Sequence, residues 1–312
     1  MLPVATLTIN PAIDVSASTE EVFPTRKLRC TTVRREPGGG GINVARVVRR
    51  LGSDVGAVYP VGGASGQLLR QLIERENLRS ITIDVTDETR EDFTIFEQKT
   101  GYQYRFVLPG PQLAEHEWQA CLSALASFDV MPPIVVGSGS LPPGVPDDFY
   151  SRAAQIAKSR NSRMILDASG KSLAAALAEG VYLVKPNLRE LKELLKKSLP
   201  DEKSWLSAGR SIVEAGQAEV VALTLGADGA LLVTRDLALR ARAMDVRPVS
   251  AVGAGDSFVG GMAWSLAAGH SVVDAFRWGI AAGSAAVLNP GTELCHAADV
   301  ERLYQNIKLV HL

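Results

Sequence analysis

The residues of this 312-residue chain best suited to chemistry lie in one stretch, Val252-Gly253-Ala254-Gly255-Asp256-Ser257-Phe258. It follows an apolar run, precedes a long Ala/Gly-rich segment, and predicts the start of a helix. Its glycines let the backbone turn so that successive N–H groups face one concavity, to which the helix adds the positive end of its dipole. Such a loop is an anion hole, and Asp256 puts a base at its rim. Phosphoryl transfer needs both: a hydroxyl must shed its proton as it attacks the γ-phosphate, while dipoles and cations hold the transferring charge. Gly-x-Gly-Asp also occurs as a plain turn with an acidic first-turn residue, so the company it keeps decides between the readings.

That company starts at the N-terminus. Residues 2–9 read as a strand and leave Asp14 just past its carboxyl end, where open α/β sheets bind ligands, although a turn or cap role suits an Asp equally. Residues 15–36 are polar and strand-like, with Lys27 and Arg29 alternating onto one face, either as a phosphate site or as a charged edge. Four glycines, 38–41, run into a helical pattern over 42–52 carried by Val44, Val47, Val48 and Leu51. They are a flexible loop or a place where a ligand meets bare main chain, and Asn43 in the first turn offers a donor and an acceptor to a sugar hydroxyl pair.

Strand 55–61, turn 62–66, helix 67–76 and strand 81–85 continue a β-turn-α rhythm that predicts a doubly wound sheet. A hairpin over 93–98 and 102–107 interrupts it. With residues 15–36 the hairpin predicts a small β lid, covered by the active site on one side and a second subunit on the other.

Helix 114–126 leads to strand 134–137 and the turn Ser138-Gly139-Ser140-Leu141-Pro142-Pro143-Gly144. Gly137-x-Gly139 begins like a dinucleotide fingerprint, but Pro142 stands at the third glycine, which excludes NAD. Gly170-Lys171-Ser172 ends like a Walker A loop, but Ile165 stands where that loop needs glycine, so Lys171 reads as a surface helix residue. Strand 181–185 stops at Pro186, and Asn187 reads as the N-cap of a helix over 188–197. Asn187 and Glu190 are spaced for a capping box or for holding a hydrated Mg²⁺ beside phosphates. Strands 220–224 and 230–234 flank Gly226-Ala227-Asp228-Gly229, whose bare backbone can receive a nucleotide. Ala/Gly-rich helices over 257–268 and 272–289 follow.

Composition is that of an ordinary globular α/β chain, 46% hydrophobic and 21% charged, able to bury a large core. A formal net charge of −1 gives no basis for a nucleic-acid partner or an anionic membrane. Three scattered cysteines form neither a disulfide framework nor a zinc motif and fit a reducing cytoplasm. Residues 1–8 lack a basic flank and read as a strand rather than a signal peptide, and no run reaches transmembrane length. The four histidines show no motif spacing.

Taken together, Leu7-Thr8-Ile9-Asn10-Pro11-Ala12-Ile13-Asp14, Lys27-Leu28-Arg29-Cys30, Glu36-Pro37-Gly38-Gly39-Gly40-Gly41-Ile42-Asn43, Gln103-Tyr104-Arg105-Phe106-Val107, the Ser138 to Gly144 turn, Leu183-Val184-Lys185-Pro186-Asn187 and the Asp256 loop resemble the ribokinase-like (PfkB) sugar kinases. The resemblance spans essentially the whole chain and is closest to the ribokinase-type 6-phosphofructokinases. It implies one kinase domain over 1–312, a three-layer α/β/α sandwich with a mostly parallel central sheet, and a small β-sheet lid from about 12–36 and 90–108. It further implies a cytoplasmic enzyme, homodimeric through the lid, that moves the ATP γ-phosphate onto O1 of fructose 6-phosphate.

By this resemblance Asp256 is the base, and the amides of Gly253, Ala254, Gly255 and Asp256 hold the phosphoryl group. Asp14, Gly39, Gly40, Asn43 and Ser138 line the sugar pocket, and Lys27, Arg29, Arg90 and Arg105 surround the 6-phosphate. Lys185, Asn187, Thr224, Gly226, Gly229 and Ser284 map to the ATP site, with Glu190 near Mg²⁺. Oxygens of Ser250, Val252, Ala286, Asn289 and Gly291 map to a monovalent cation site, expected to take K⁺. The Gly62-Gly63-Ala64-Ser65-Gly66 turn favours a phosphorylated hexose over ribose or a nucleoside. Kinases of fructose 1-phosphate and tagatose 6-phosphate share nearly every motif, and a non-catalytic sugar-phosphate sensor is the reading from another class.

Overall fold

A computed structural model describes residues 2–312. In chain order its first strands are β1 (Val4–Leu7), β2 (Ala12–Thr19), β3 (Thr31–Gly38), β4 (Val55–Val61), β5 (Arg79–Asp84), β6 (Arg90–Glu97) and β7 (Gln103–Phe106). The rest are β8 (Ile134–Ser138), β9 (Arg163–Asp167), β10 (Val181–Val184), β11 (Ala218–Thr224), β12 (Ala230–Val233), β13 (Ala238–Ala241) and β14 (Leu309–His311). The helices are α1 (Gly40–Arg50), α2 (Gly63–Arg75), α3 (Glu115–Ala126), α4 (Phe149–Ser159) and α5 (Gly170–Glu179). After them come α6 (Leu188–Leu195), α7 (Glu202–Glu214), α8 (Ala254–Ala267), α9 (Val272–Ala286) and α10 (Ala297–Tyr304).

The large sheet runs β14-β13-β12-β11-β10-β9-β8-β1-β4-β5. Its pairs are parallel from β5 to β11, and the edge β12-β13-β14 is antiparallel. Strands β1, β4 and β8 are buried at every residue, which is why they read as predominantly apolar runs rather than alternating ones. One face packs on α1, α2, α8, α9 and α10 through Val44, Leu69, Phe258, Phe276 and Leu303. The other packs on α3 to α7 through Leu122, Phe149, Leu173, Leu191 and Ile212. These are the three layers expected. The chain leaves β1 towards β4 on one side and returns to β8 on the other, so the topological switch point lies between β1 and β8. Ligands of open α/β sheets bind at the carboxyl ends of such strands.

A separate four-stranded sheet, β3-β2-β6-β7, is built from the two interrupting segments. β2 and β6 pair in parallel from Ala12 and Arg90 to Thr19 and Glu97, and the outer pairs are antiparallel.

Local expectations are corrected at four points. Asp14 lies inside β2, not after a strand. Residues 20–30 form no strand: Pro24 has no N–H for a ladder and Thr25 has φ of +64°. Helix α2 starts at Gly63, inside the glycine turn: Gly62 is its extended N-cap, its carbonyl accepts from Gly66 N at 3.0 Å, and it is bare because a Cβ there would lie 2.0 Å from Asp87 O. Helix α8 starts at Ala254, so Asp256 belongs to its first turn. Among the described residues no helix is long and apolar enough to cross a membrane.

Candidate active site

A cleft of about 390 Å³ opens at the switch point between the two sheets, within the range of small-molecule sites. Each wall comes from a strand end or helix start. Ser138 ends β8, Asp167 ends β9, and Gly39 and Gly40 lead into α1. Asp14, Arg90, Asp92 and Arg105 face it from the small sheet. Side chains two apart on a strand share a face, so Arg90 brings Asp92 with it.

The glycine loop before α8 behaves as its residues dictate. Gly253, at φ +76°, is the N-cap, where Leu294 fills the space a Cβ would need, and no side chain caps the helix. The positive end of α8 therefore faces the cleft, lined there by Val252, Gly253 and Gly255. Asp256 Oδ2 accepts a hydrogen bond from Asn43 Nδ2 at 2.8 Å, which holds one carboxylate oxygen and leaves the other for a ligand. Burial, then the charge of Asp167, pushes the Asp256 carboxyl up to about 6, against the pull of Asn43, Lys185 and Arg105. A carboxylate with that affinity is mostly ionised at neutral pH and still a useful base.

Asp14 is pushed further, to about 7, by burial and by the nearby Asp92 and Asp256. It sits so close under the glycine run that a Cβ on Gly38 would lie 2.4 Å from its carboxyl carbon. A Cβ on Gly40 would lie 2.2 Å from Ser138 Oγ. The two glycines let the main chain touch the groups expected to hold a sugar. Deeper in, Lys185 Nζ is 3.1 Å from Asp167 Oδ1. Burial opposes the charge of Lys185, but Asp167, Glu190 and Asp256 keep it protonated.

The expected phosphate cations divide. Arg105 is exposed on β7 and lines the cleft. Arg90 also lines it, but is committed to the protein: it donates to Leu108 O at 2.7 Å and Asn10 O at 3.1 Å and pairs with Asp92 at 3.3 Å. Lys27 and Arg29 are exposed on the irregular 20–30 segment and do not line the cleft of their own chain, contrary to expectation. Their premise, a shared strand face, fails because no strand forms there.

Asn187 and Glu190 form the capping box: Glu190 N donates to Asn187 Oδ1 at 2.9 Å and Asn187 N to Glu190 Oε2 at 2.8 Å. Glu190 nevertheless lines the cleft with its other oxygen uncommitted to the box, so its carboxylate fits a hydrated Mg²⁺ beside phosphates. Thr224 ends β11 beside Asn187, and Gly226, at φ +59°, opens onto free space. Gly229 is different: a Cβ there would meet Ala241 O at 2.3 Å, so its bareness serves hairpin packing. Ser284 is half-buried on α9. Asn187, Thr224, Gly226, Gly229 and Ser284 lie outside the lining of the cleft itself.

Ser250, Val252, Ala286, Asn289 and Gly291 lie on two segments tied side by side. Val249 N donates to Val287 O at 2.7 Å and Ser250 Oγ to Gly291 O at 2.8 Å. No cluster of three or more His, Cys, Asp or Glu side chains exists among the described residues. A cation here would rest on carbonyl and hydroxyl oxygens, which suits a hard ion of low charge.

Asp167, Asp92, Ser140 and Ser169 line the cleft without having been anticipated. The signal for Asp167 was available: it ends a strand of the parallel sheet, the position used to single out Asp14.

Residues 3–299 match the pfkB family carbohydrate kinase pattern. The ATP-dependent 6-phosphofructokinase isozyme 2 of Mycobacterium tuberculosis is 43% identical over 302 residues, covering 97% of this chain and 89% of its own. The Escherichia coli protein of the same name is 41% identical over 305 residues, covering 97% and 98%. Solved structures of E. coli phosphofructokinase-2 with potassium and with fructose-6-phosphate are similar to this chain with TM-scores of 0.93 and 0.92. Their identities are 40% and 39%, and each comparison covers 98% of this chain and 99% of the other. By this extent of similarity, the chain belongs to the pfkB family of carbohydrate kinases.

Proposed function

We propose that this protein transfers the γ-phosphoryl group of ATP to the C1 hydroxyl of fructose 6-phosphate, giving fructose 1,6-bisphosphate and ADP. The observation that carries the reading is Asp256, held by Asn43 at 2.8 Å and standing in the first turn of an uncapped helix that faces the cleft. In this account Asp14 accepts hydrogen bonds from sugar hydroxyls, with Asn43 and Ser138 beside it. Arg105 meets the 6-phosphate, with Arg90 bracing the strand behind it. The sugar oxygen attacks the γ-phosphorus as its proton passes to Asp256. The bond from γ-phosphorus to the bridging oxygen breaks, ADP leaves with that electron pair, and Asp256 later returns the proton to water.

The amides at the start of α8 hold the equatorial phosphoryl oxygens, and Lys185 adds positive charge from the floor of the site. Asn187, Thr224, Gly226, Gly229 and Ser284 belong in this reading to the nucleotide side of the site. Glu190 would hold Mg²⁺, which neutralises phosphate charge, and the 249–252 and 286–291 segments would hold K⁺. A cytoplasmic homodimer through the small sheet goes with the reading: Val33, Tyr102 and Phe106 leave apolar surface exposed on or beside β3 and β7.

A coupled ADP-release assay over fructose 6-phosphate, fructose 1-phosphate and tagatose 6-phosphate tests the substrate. Fructose 6-phosphate should give the highest kcat/KM. Preference for fructose 1-phosphate overturns the choice, and sugar-phosphate binding with no turnover of any of them makes the protein a sensor.

A further inference from the structure

The reaction scheme leaves one large charged side chain without a task. Arg46 lies on α1, one turn beyond Asn43, with its side chain only 1% exposed. An arginine is almost never buried without partners, and every nitrogen of this one donates. Nε donates to Glu76 Oε1 at 2.9 Å, and Nη2 to Glu36 Oε1 at 3.2 Å. Nη1 donates to Pro37 O at 3.0 Å and to Asn43 Oδ1 at 3.3 Å.

The last bond decides something about the reacting atoms. An asparagine side chain has one accepting end and one donating end, and either can face a neighbour. A guanidinium has donors only. With Arg46 beneath it, the oxygen of Asn43 must turn towards Arg46, and its NH₂ is then the end presented to Asp256 Oδ2. Reversed, Asn43 would set an oxygen against a carboxylate and an NH₂ against a cation. Glu36 extends the chain of contacts. Its Oε2 accepts from Thr292 Oγ1 at 2.6 Å, and it stands directly opposite Asp14 in the pairing of β3 with β2.

We propose that Arg46 is a positioning residue that fixes the orientation of Asn43, and through it Asp256, and links both to the seating of the small sheet by way of Glu36. The inference rests on the kinase reading and names a residue that touches neither sugar nor nucleotide. A guanidinium is needed, because a lysine ammonium is a single point of charge and cannot reach acceptors on α1, on β3 and at Glu76, just past α2, together.

A double-mutant cycle tests it, using Arg46→Lys, Asn43→Ala and the pair, with kcat, KM and pH profiles measured on fructose 6-phosphate and ATP. Arg46→Lys should lower kcat about tenfold to a hundredfold, the usual consequence of a misaligned reacting group. In the Asn43→Ala background the same change should cost less than about twofold. The acid limb of kcat, which reports the complex in which Asp14 already holds the sugar, should move to higher pH in Arg46→Lys, because Asp256 loses the Asn43 bond while still facing Asp14, Asp167, Lys185 and Arg105. Losses that simply multiply, or an acid limb that stays in place, overturn the proposal. If Arg46→Lys does not fold, Glu36→Gln carries the same cycle, with the same two outcomes deciding it.

A readout free of turnover separates this inference from the function it rests on. The side-chain NH₂ resonances of Asn43 should be resolved in wild type and broadened or shifted in Arg46→Lys. Unchanged resonances overturn the role of Arg46. Wild-type protein inactive on every hexose phosphate, with those resonances still dependent on Arg46, counts against the kinase reading alone.

Discussion

Replacing Asp14 by Asn should stabilise the protein, and the gain should appear only as the pH rises. Burial, followed by Asp92 and Asp256, keeps the Asp14 carboxyl protonated up to about pH 7, whereas the unfolded chain ionises it near 3.9. Between those values the native state binds the extra proton, so the stability of the wild type falls as pH rises from about 4 to about 7 and is level above that. Ionising the group in place costs roughly 4 kcal/mol if nothing screens it. Most of that loss falls between pH 5 and pH 7, where it amounts to roughly 2–3 kcal/mol. Asn has the same shape and no charge to bury. Thermal unfolding of ligand-free wild type and Asp14→Asn, followed by circular dichroism from pH 5 to 8, should show the smallest difference at pH 5. By pH 7 the variant should melt about 2–5 °C higher, with no further gain at pH 8. A difference independent of pH, or one that grows towards acid, refutes the reasoning. The same variant should lose most of its kcat/KM for sugar phosphate, so this carboxylate would be kept for binding at the expense of stability.

Other perturbations read other parts of the site. Gly40→Ala sets a Cβ 2.2 Å from Ser138 Oγ and 3.0 Å from Gly139 N; it should destabilise by about 1–3 kcal/mol and raise KM for fructose 6-phosphate, checked by melting and steady-state kinetics. Arg105→Ala should raise KM for fructose 6-phosphate about tenfold to a hundredfold while KM for ATP stays within about twofold, since removing one cation from a dianion site costs a charge-assisted bond. Glu190→Gln keeps an acceptor for Asn187 N–H but lowers the charge facing the cleft; it should raise the Mg²⁺ concentration needed for half-maximal rate, and an unchanged Mg²⁺ titration counts against that role.

The sequence carried the parts of this structure whose physics is local. Buried parallel strands announce themselves as apolar runs, which is why β1, β4, β8 and β10 fall where expected, and the hairpin of β6 and β7 is marked by Lys99-Thr100-Gly101. Glycines that must take positive φ or pass close to another chain segment, as at 39 and 253, also stood out. What failed depended on partners distant in sequence. Lys27 and Arg29 alternate as a strand would, but no neighbouring strand pairs with residues 20–30. Strands β13 and β14, of 4 and 3 residues, are too short to show a period and exist because β12 offers an edge to β13 and β13 in turn to β14. Asp167 and Asp92 line the cleft only because the two sheets meet there. The Asn187 and Glu190 pair shows why the alternatives had to stay open: the spacing serves the capping box, and the same glutamate still faces the cleft.

The most direct test concerns the base. Asp256→Asn preserves shape and keeps one oxygen able to accept from Asn43, but removes the group that takes the proton. With saturating ATP and Mg²⁺, kcat on fructose 6-phosphate should fall by about 10² to 10⁴ while KM changes little. Turnover within a few-fold of wild type would contradict the account.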